Sequence, residues 1–515
     1  MRGTFAVRSA PGIAAQSPPP SQGIVVGASL RSVMAGAGIL VSLANVARAQ
    51  SAAPVRYDLT LPGGDDGTVS VVITLPSPVT QAVDFAMPRS IPMGYGTQPY
   101  DRFVTDLSAH DARGTALAIT DIDGPRWRIA ASMDHPLRTI RYRVDVRRME
   151  AAILNAGDAS RIRPGYVGLL GYSVFGFLDA FIDTPIALEV RAPERWPIFT
   201  TLGPAPARGT SSATARNFYA LADAQLFAGP DLVLRQITGG VPFTLALYAE
   251  RPGPDADSLA TLASQALRET IAYFGSSTLA HYTSSFEVLQ PLSNQHEYRF
   301  SMEHLESATY RFAVGQLDLS AAARDRVYYN LLHHTVHSWL PKQCAPAGYY
   351  PFTWDHAAPI DGIWFSEGWA QYIAADIFGG SGSDARRRRQ ERVALRFDAA
   401  AADSLPPMRG RSTTALSRTA SHQYSDDFRI SAAVFSRGAK MASAIDDRIR
   451  TRTGERQSIR DVARALLSWC ATSSTPVSDT VIATIVRQTT GVDVRDLIDR
   501  WLAPQGVPAF DRPRP

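Results

Sequence analysis

The chain has 515 residues, of which 45% are hydrophobic and 19% charged, with a formal net charge of +4 at pH 7. Those proportions exclude an intrinsically disordered chain, and so small a charge leaves no ground for a nucleic-acid partner. The length exceeds one hydrophobic core, so about two to four domains are expected.

Residues 1–29 are rich in Pro and Ser and form an unusually long preamble, read as an extension from a non-native start. LRSVMAGAGILVSLANVARAQ at 30–50 then carries Arg31, an apolar stretch from Val33 to Val46, and Ala47-Arg48-Ala49, which has the small-x-small form of a cleavage site. That is the layout of a secretory signal peptide, a retained anchor being the alternative. Nothing later is apolar over a length that crosses a bilayer, so an exported protein, periplasmic or secreted, without a stable membrane span is expected.

From Val55 to about Gly240 short alternating stretches dominate: YDLTL, TVSVVITL, ALAIT, RWRIAA, TIRYRVDV and IALEVRA, separated by turns such as Asp123-Gly124-Pro125. Period-two patterning with regular punctuation predicts an antiparallel β-domain. After PFTLALYAE the pattern changes to a helical run at 258–274, a strand-like SSFEVLQPL, and two helical stretches, YYNLLHHTVHSWL and IWFSEGWAQYIAADIF. The Gly/Ser break GGSGS at 379–383 closes that region, and the remainder is mostly helical, with Ser458 and Asp461 spaced as a capping box. ARRRRQER at 385–392 is the one basic cluster, a solvated helix start or an anion-binding patch. Cys344 and Cys470 are too few for a disulfide framework; an exported protein could join them, but they are expected to be unpaired or incidental.

The chemistry gathers in the two central helices. His333 and His337, four apart, share one helix face, so both imidazoles can reach one ion. His334 is rotated by about 100° and is expected outside that first shell. A histidine pair alone also suits imidazoles satisfied by backbone carbonyls. Glu367 lies among buried-type residues, where a lone carboxylate is costly unless paired or bound to a cation. A pair with arginine is one solution; the other makes Glu367 the third ligand of a His₂Glu zinc site with an open fourth position.

HHTVHSWLPKQCAP resembles the metal helix and its exit in the glycyl-aminopeptidase family, a branch of the gluzincin zinc metallopeptidases whose motif is H-E-x-x-H-x-W. Lys342 and Pro346 stand at the offsets of that family's basic residue and proline. WFSEGWAQY is similar to its glutamate-ligand helix, and SMEHLESATY to its G-x-E-H-x-x-S segment, with Ser301 where glycine is usual. FAMPRSIPMGYGTQPYDRFVTDLSAHDARGTAL and VFSRGAKMASAIDDRIRTRTG resemble further segments, so the likeness extends from about Val55 to Leu502. The family often carries a C-terminal PDZ domain, which is expected to be absent here.

With the targeting segment at 1–50 set apart, the resemblance implies an α+β multidomain protein: an N-terminal antiparallel β-domain at 51–240, a thermolysin-like α/β peptidase domain at 241–395 and a C-terminal helical domain at 396–515. It implies one Zn²⁺ on His333, His337 and Glu367, with Glu303 binding the free amino terminus of a peptide or small amide or ester substrate. His304 would line the same cleft, a strand-edge hydrogen bond being its alternative. Two departures matter more. His334 replaces the glutamate that serves as general base, and Phe435 replaces the tyrosine whose hydroxyl stabilises the oxyanion. A neutral imidazole has a free lone pair, but becomes cationic on taking a proton, which a nearby divalent ion disfavours. General-base assistance contributes about 10²–10⁴-fold and an oxyanion donor about 10²–10³-fold. Impaired hydrolysis is therefore expected. An active aminopeptidase or esterase using His334 or another base, and a non-catalytic peptide-binding homologue, both stay open.

Overall fold

The computed structural model describes residues 53–504, less 64–65, 93, 204, 252, 299, 382–383, 397–407, 409 and 424–427. The expected signal peptide and the preamble before it lie outside the described residues.

Alternation along the chain becomes alternation across a sheet. Val55–Thr60 and Thr68–Val79 bury every second side chain over most of their length, as strands do when one face meets a core. They belong to a twelve-stranded sheet that also holds Leu137–Asp145, Ile186–Arg191, Thr210–Ala215, Gln225–Ala228 and Tyr166–Leu170. Four shorter strands form a second layer, where Phe85 packs against Trp127 and Tyr142. The large sheet departs from the expected antiparallel order at one place. Val55–Thr60 pairs parallel with Ile186–Arg191, because the hairpins between them form a connection long enough to bring the chain back in the same direction.

The next sheet has five strands, in the order Val233–Ile237, Phe243–Ala249, Tyr282–Leu289, Ser307–Ala313, Phe300–Glu303. Its middle strands pair parallel, and Tyr282–Leu289 is buried along its whole length, which fits a strand covered on both faces. The crossover from Phe243–Ala249 to Tyr282–Leu289 is the helix Ala256–Phe274. Asp255 caps it by accepting from the Ser258 N–H, and Gly275 ends it at φ +87°, a conformation glycine adopts without strain. Phe300–Glu303, like Val233–Ile237 at the opposite side, is an antiparallel edge strand, and it places Glu303 beside the histidine helix, Ala321–Val336.

The two regions are joined through a buried charge triad. Glu287 of the five-stranded sheet takes Arg161 of the large sheet at 2.9 Å and Arg311 at 2.7 Å, while Tyr166 donates to its other oxygen at 2.9 Å. Burial pushes the Glu287 carboxyl up, but the two guanidinium groups outweigh it and leave it below the ordinary range.

Helices complete the fold. Gly368–Gly379 packs against both the histidine helix and the long helix Phe428–Thr453. Two glycines permit the second contact: a Cβ on Gly368 would lie 2.4 Å from Gly438 Cα, and one on Gly438 would lie 1.9 Å from the Trp364 carbonyl oxygen. Ser458 and Asp461 form both halves of the expected capping box at the head of Ile459–Cys470. The arginine cluster opens the helix Ala385–Arg396, where Arg389 is buried 3.2 Å from Asp376. The expectation for the cysteines is corrected. Cys344 and Cys470 form a disulfide across 126 residues, because helix packing sets the end of Ile459–Cys470 against the loop that leaves the histidine helix. No described helix is long and apolar enough to cross a membrane.

Candidate metal centre

The histidine helix presents Leu331, Leu332 and Val336 to the core, each about 1% exposed or less. Regular helix ends at Val336, yet His337 keeps helical dihedrals (φ −61°, ψ −21°). The four-residue spacing therefore still sets His333 and His337 on one face. The chain then turns, and the His337 Nδ1 meets the Leu340 carbonyl at 2.9 Å. That contact assigns the proton to Nδ1 and turns Nε2 inward as an acceptor in the neutral ring. Glu367 sits between the short helix Ile363–Ser366 and Gly368–Gly379.

Three side-chain atoms converge. The Nε2 atoms of His333 and His337 are 3.2 Å apart, and each lies 3.5 Å from Glu367 Oε2. All three residues are at least 95% buried. Acceptor lone pairs so placed repel one another unless a proton or cation lies between them. A proton placed here goes to His337. Burial opposes it, but Glu303 and Glu367 outweigh burial and raise this imidazole to about 9. Burial, and then the charge on His337, pushes His333 down to about 3. Burial raises Glu367, but the two imidazoles outweigh it and bring the carboxyl to about 2. A tetrahedral ion with bonds of about 2.0–2.2 Å sets neighbouring donors about 3.3–3.6 Å apart. The observed 3.2–3.5 Å matches that spacing, so the donor set fits zinc. Gln371 Nε2 lies 3.0 Å from the His333 Nε2 as well.

Around this trio stand the other residues singled out from the sequence. Glu303, 8% exposed, has a carboxylate oxygen within 4.8 Å of donor atoms of both His337 and Glu367. One ring nitrogen of His334 lies within 4.8 Å of a nitrogen of each of the other two imidazoles. Its Nδ1 is 3.4 Å from Glu303 Oε2 but makes no hydrogen bond there. Burial pushes this imidazole down, against the pull of Glu303, so it is held neutral. His304 turns to a different neighbour. Its Nδ1 meets Asp223 at 3.1 Å, and Asp223 also accepts from the Leu305 N–H. Lys342 Nζ is 3.6 Å from the same carboxylate. Phe435 is buried, its ring edge-on to Phe428.

Several residues of the site carry no signal in the sequence. Tyr95 donates to Glu367 Oε1 at 2.9 Å, and its hydroxyl lies 2.8 Å from that of Tyr349, which in turn is 2.6 Å from Ser366 Oγ. Glu367 thus pairs with two imidazoles and a phenol rather than with an arginine. Tyr95 lies more than 200 residues from the histidine helix, outside any spacing motif, and Asp223 closes a helix, Phe218–Asp223, of the N-terminal region. Only the quoted stretch around Tyr95 could have drawn attention to it, and it carried no chemical rationale.

Residues 56–230 match the family described as Peptidase M61 N-terminal domain. The fold is similar to that of an aminopeptidase N family protein from Idiomarina loihiensis, at 20% identity and a TM-score of 0.75, covering 87% of this chain and 76% of that one. It is also similar to an M1 zinc metallopeptidase from Deinococcus radiodurans, solved as a glutamate-to-alanine mutant with a Tyr-Ser-Ala substrate, at 16% identity and a TM-score of 0.51, covering 89% and 95%. At these identities the likeness is one of fold. Among curated proteins none matches the chain.

Proposed function

We propose that this protein is an exported zinc-metallopeptidase-like protein that holds the amino termini of peptides, with hydrolysis impaired at its base and oxyanion positions. The observation that carries this reading is the convergence of His333 Nε2, His337 Nε2 and Glu367 Oε2 at 3.2–3.5 Å in a buried site. Those three residues would hold the ion. When bound, zinc acts as a Lewis acid toward a substrate carbonyl. The Peptidase M61 N-terminal domain match and a fold shared with an aminopeptidase N family protein support the class. The peptide bound by the Deinococcus radiodurans protein supports the ligand.

This chain's own residues divide the work unevenly. Glu303 is held as a carboxylate: burial raises it, but His337 and then His334 outweigh burial and lower it. It can receive an ammonium group beside the metal ligands. His334 offers a neutral imidazole where a carboxylate base is usual, and Phe435 offers no hydroxyl. Binding is preserved on this view while proton transfer and oxyanion stabilisation are weakened. Export draws support from the Cys344–Cys470 disulfide, since such bonds persist in oxidising compartments.

The experiment is metal analysis joined to turnover. Purified wild type should hold about one zinc per chain, as a three-donor site with an open position does, and His333→Ala and Glu367→Ala should each lose it. Full occupancy in both variants removes the basis of the assignment. His334→Glu should raise hydrolysis of small unblocked aminoacyl substrates by about 10²-fold, the lower end of general-base assistance. A fast wild type and a slower variant would show that the enzyme is not impaired.

A further inference from the structure

One stretch singled out in the sequence, FAMPRSIPMGYGTQPYDRF at 85–103, is left without a role by the peptidase resemblance. In the fold its described residues are fastened to several later segments of the chain. Arg89 and Ser90 donate their N–H groups to the Trp354 carbonyl at 2.7 and 3.1 Å, and Thr97 Oγ1 accepts from the Ala357 N–H at 3.1 Å. The Gly96 N–H bonds the Ser421 carbonyl at 2.9 Å, with Gly96 at φ +92°, a turn that glycine makes without strain. Arg89 and Asp101 clamp the base of the segment through two contacts of 2.7 Å. Tyr95, 7% exposed, is the side chain that this fastened segment delivers to Glu367.

The contact divides the carboxylate. Oε1 accepts the Tyr95 hydroxyl at 2.9 Å, and Oε2 faces both imidazole nitrogens at 3.5 Å. A phenol keeps its proton at neutral pH, and with Oη 2.9 Å from a carboxylate oxygen it is the donor of this bond. A carboxylate oxygen that already accepts a hydroxyl is the weaker donor of the pair, which favours the other oxygen for an ion. Partners of this kind fix the orientation of ligands and set metal affinity.

We propose that Tyr95 is a positioning residue of the metal centre, contributed by the N-terminal region, and that its hydrogen bond to Oε1 commits Glu367 to bind metal through Oε2 alone. The proposal rests on the zinc reading above. It goes beyond it in making the centre depend on both halves of the fold, so that the histidine and glutamate helices alone form an incompletely oriented site.

The test is a chelator-competition titration of zinc on full-length wild type, Tyr95→Phe and His333→Ala, with the thermal midpoint of each metal-free protein measured alongside. Tyr95→Phe should bind zinc about 10–100-fold more weakly, while its metal-free midpoint stays near that of wild type. The visible spectrum of its cobalt form should change as the carboxylate gains a second coordinating oxygen. Zinc affinity within twofold of wild type would overturn the proposal, as would a loss of stability equal with and without metal, which marks a packing role only. Retention of zinc by His333→Ala would instead defeat the zinc reading and is seen separately. X-ray absorption on zinc-loaded wild type gives a second check that does not depend on the variant folding. A single short carboxylate oxygen supports the proposal, and a bidentate carboxylate overturns it.

Discussion

At position 334 an imidazole stands one residue from a metal-ligand candidate, and its surroundings say what it can do. It is 7% exposed, faces Glu303 at 3.4 Å and is held neutral by burial. A carboxylate at that place would offset a divalent charge; a neutral ring cannot. Glu303 thereby becomes the carboxylate beside the His₂Glu trio that is not itself committed to it. If its task is to hold an amino terminus, the interaction is a charge-assisted hydrogen bond worth about 1.5–3 kcal/mol. Glu303→Gln should then weaken binding of an unblocked peptide by about 10–100-fold and leave binding of the same peptide acetylated at its amino terminus unchanged. Calorimetry on the two peptides makes the comparison, and equal losses for both would refute the assignment.

Among the elements, the contact between Gly368–Gly379 and Phe428–Thr453 controls where Glu367 points. The backbones meet at Gly368 and Gly438 with no room for a Cβ on either, the obstructing atoms being backbone rather than flexible side chain. Gly438→Ala must therefore push the Glu367-bearing segment away, at about 1–3 kcal/mol for overpacking. A fall in thermal midpoint together with weaker zinc binding is expected, because the displaced segment carries Glu367, the proposed third ligand. Unchanged stability would show that the helices separate freely. The sequence offered the glycine at 438 as part of a resemblance only; the physical reason for it is a helix crossing. The capping box at Ser458 and the periodicity of 258–274 were legible, since each is decided within a few residues. The parallel pairing of Val55–Thr60 was not, because its partner lies well over a hundred residues away.

Across the whole molecule, the buried triad Arg161–Glu287–Arg311 couples the large sheet to the five-stranded one. Removing its only carboxylate leaves two guanidinium groups buried against each other. Glu287→Gln should cost about 3–5 kcal/mol, the range for breaking a buried ion pair. The sign with pH follows from the direction of the shift. A carboxyl held below its unfolded value of about 4.3 contributes stability that is complete above that value and lost as pH falls through the folded one. Wild type should thus lose stability on acidification below about pH 4, and the variant should lose less over the same range. Thermal midpoints at a series of pH values test this; parallel curves would show that Glu287 does not titrate with folding. The disulfide between Cys344 and Cys470 ties the loop behind the histidine helix to the C-terminal helices in a similar long-range way.

The sequence by itself determined what is local in chain distance. The alternating strands, the amphipathic helices, the face shared by His333 and His337, and the candidacy of Glu367 each follow from the 2.0 and 3.6 residue periods and from the cost of burying charge. The closing of the donors to 3.2–3.5 Å, the turning of His334 toward Glu303 and His304 toward Asp223, the disulfide, and the entry of Tyr95 were decided only by tertiary structure. Each joins segments distant along the chain, and which distant segments meet depends on how whole sheets and helices pack, a property that no local period encodes.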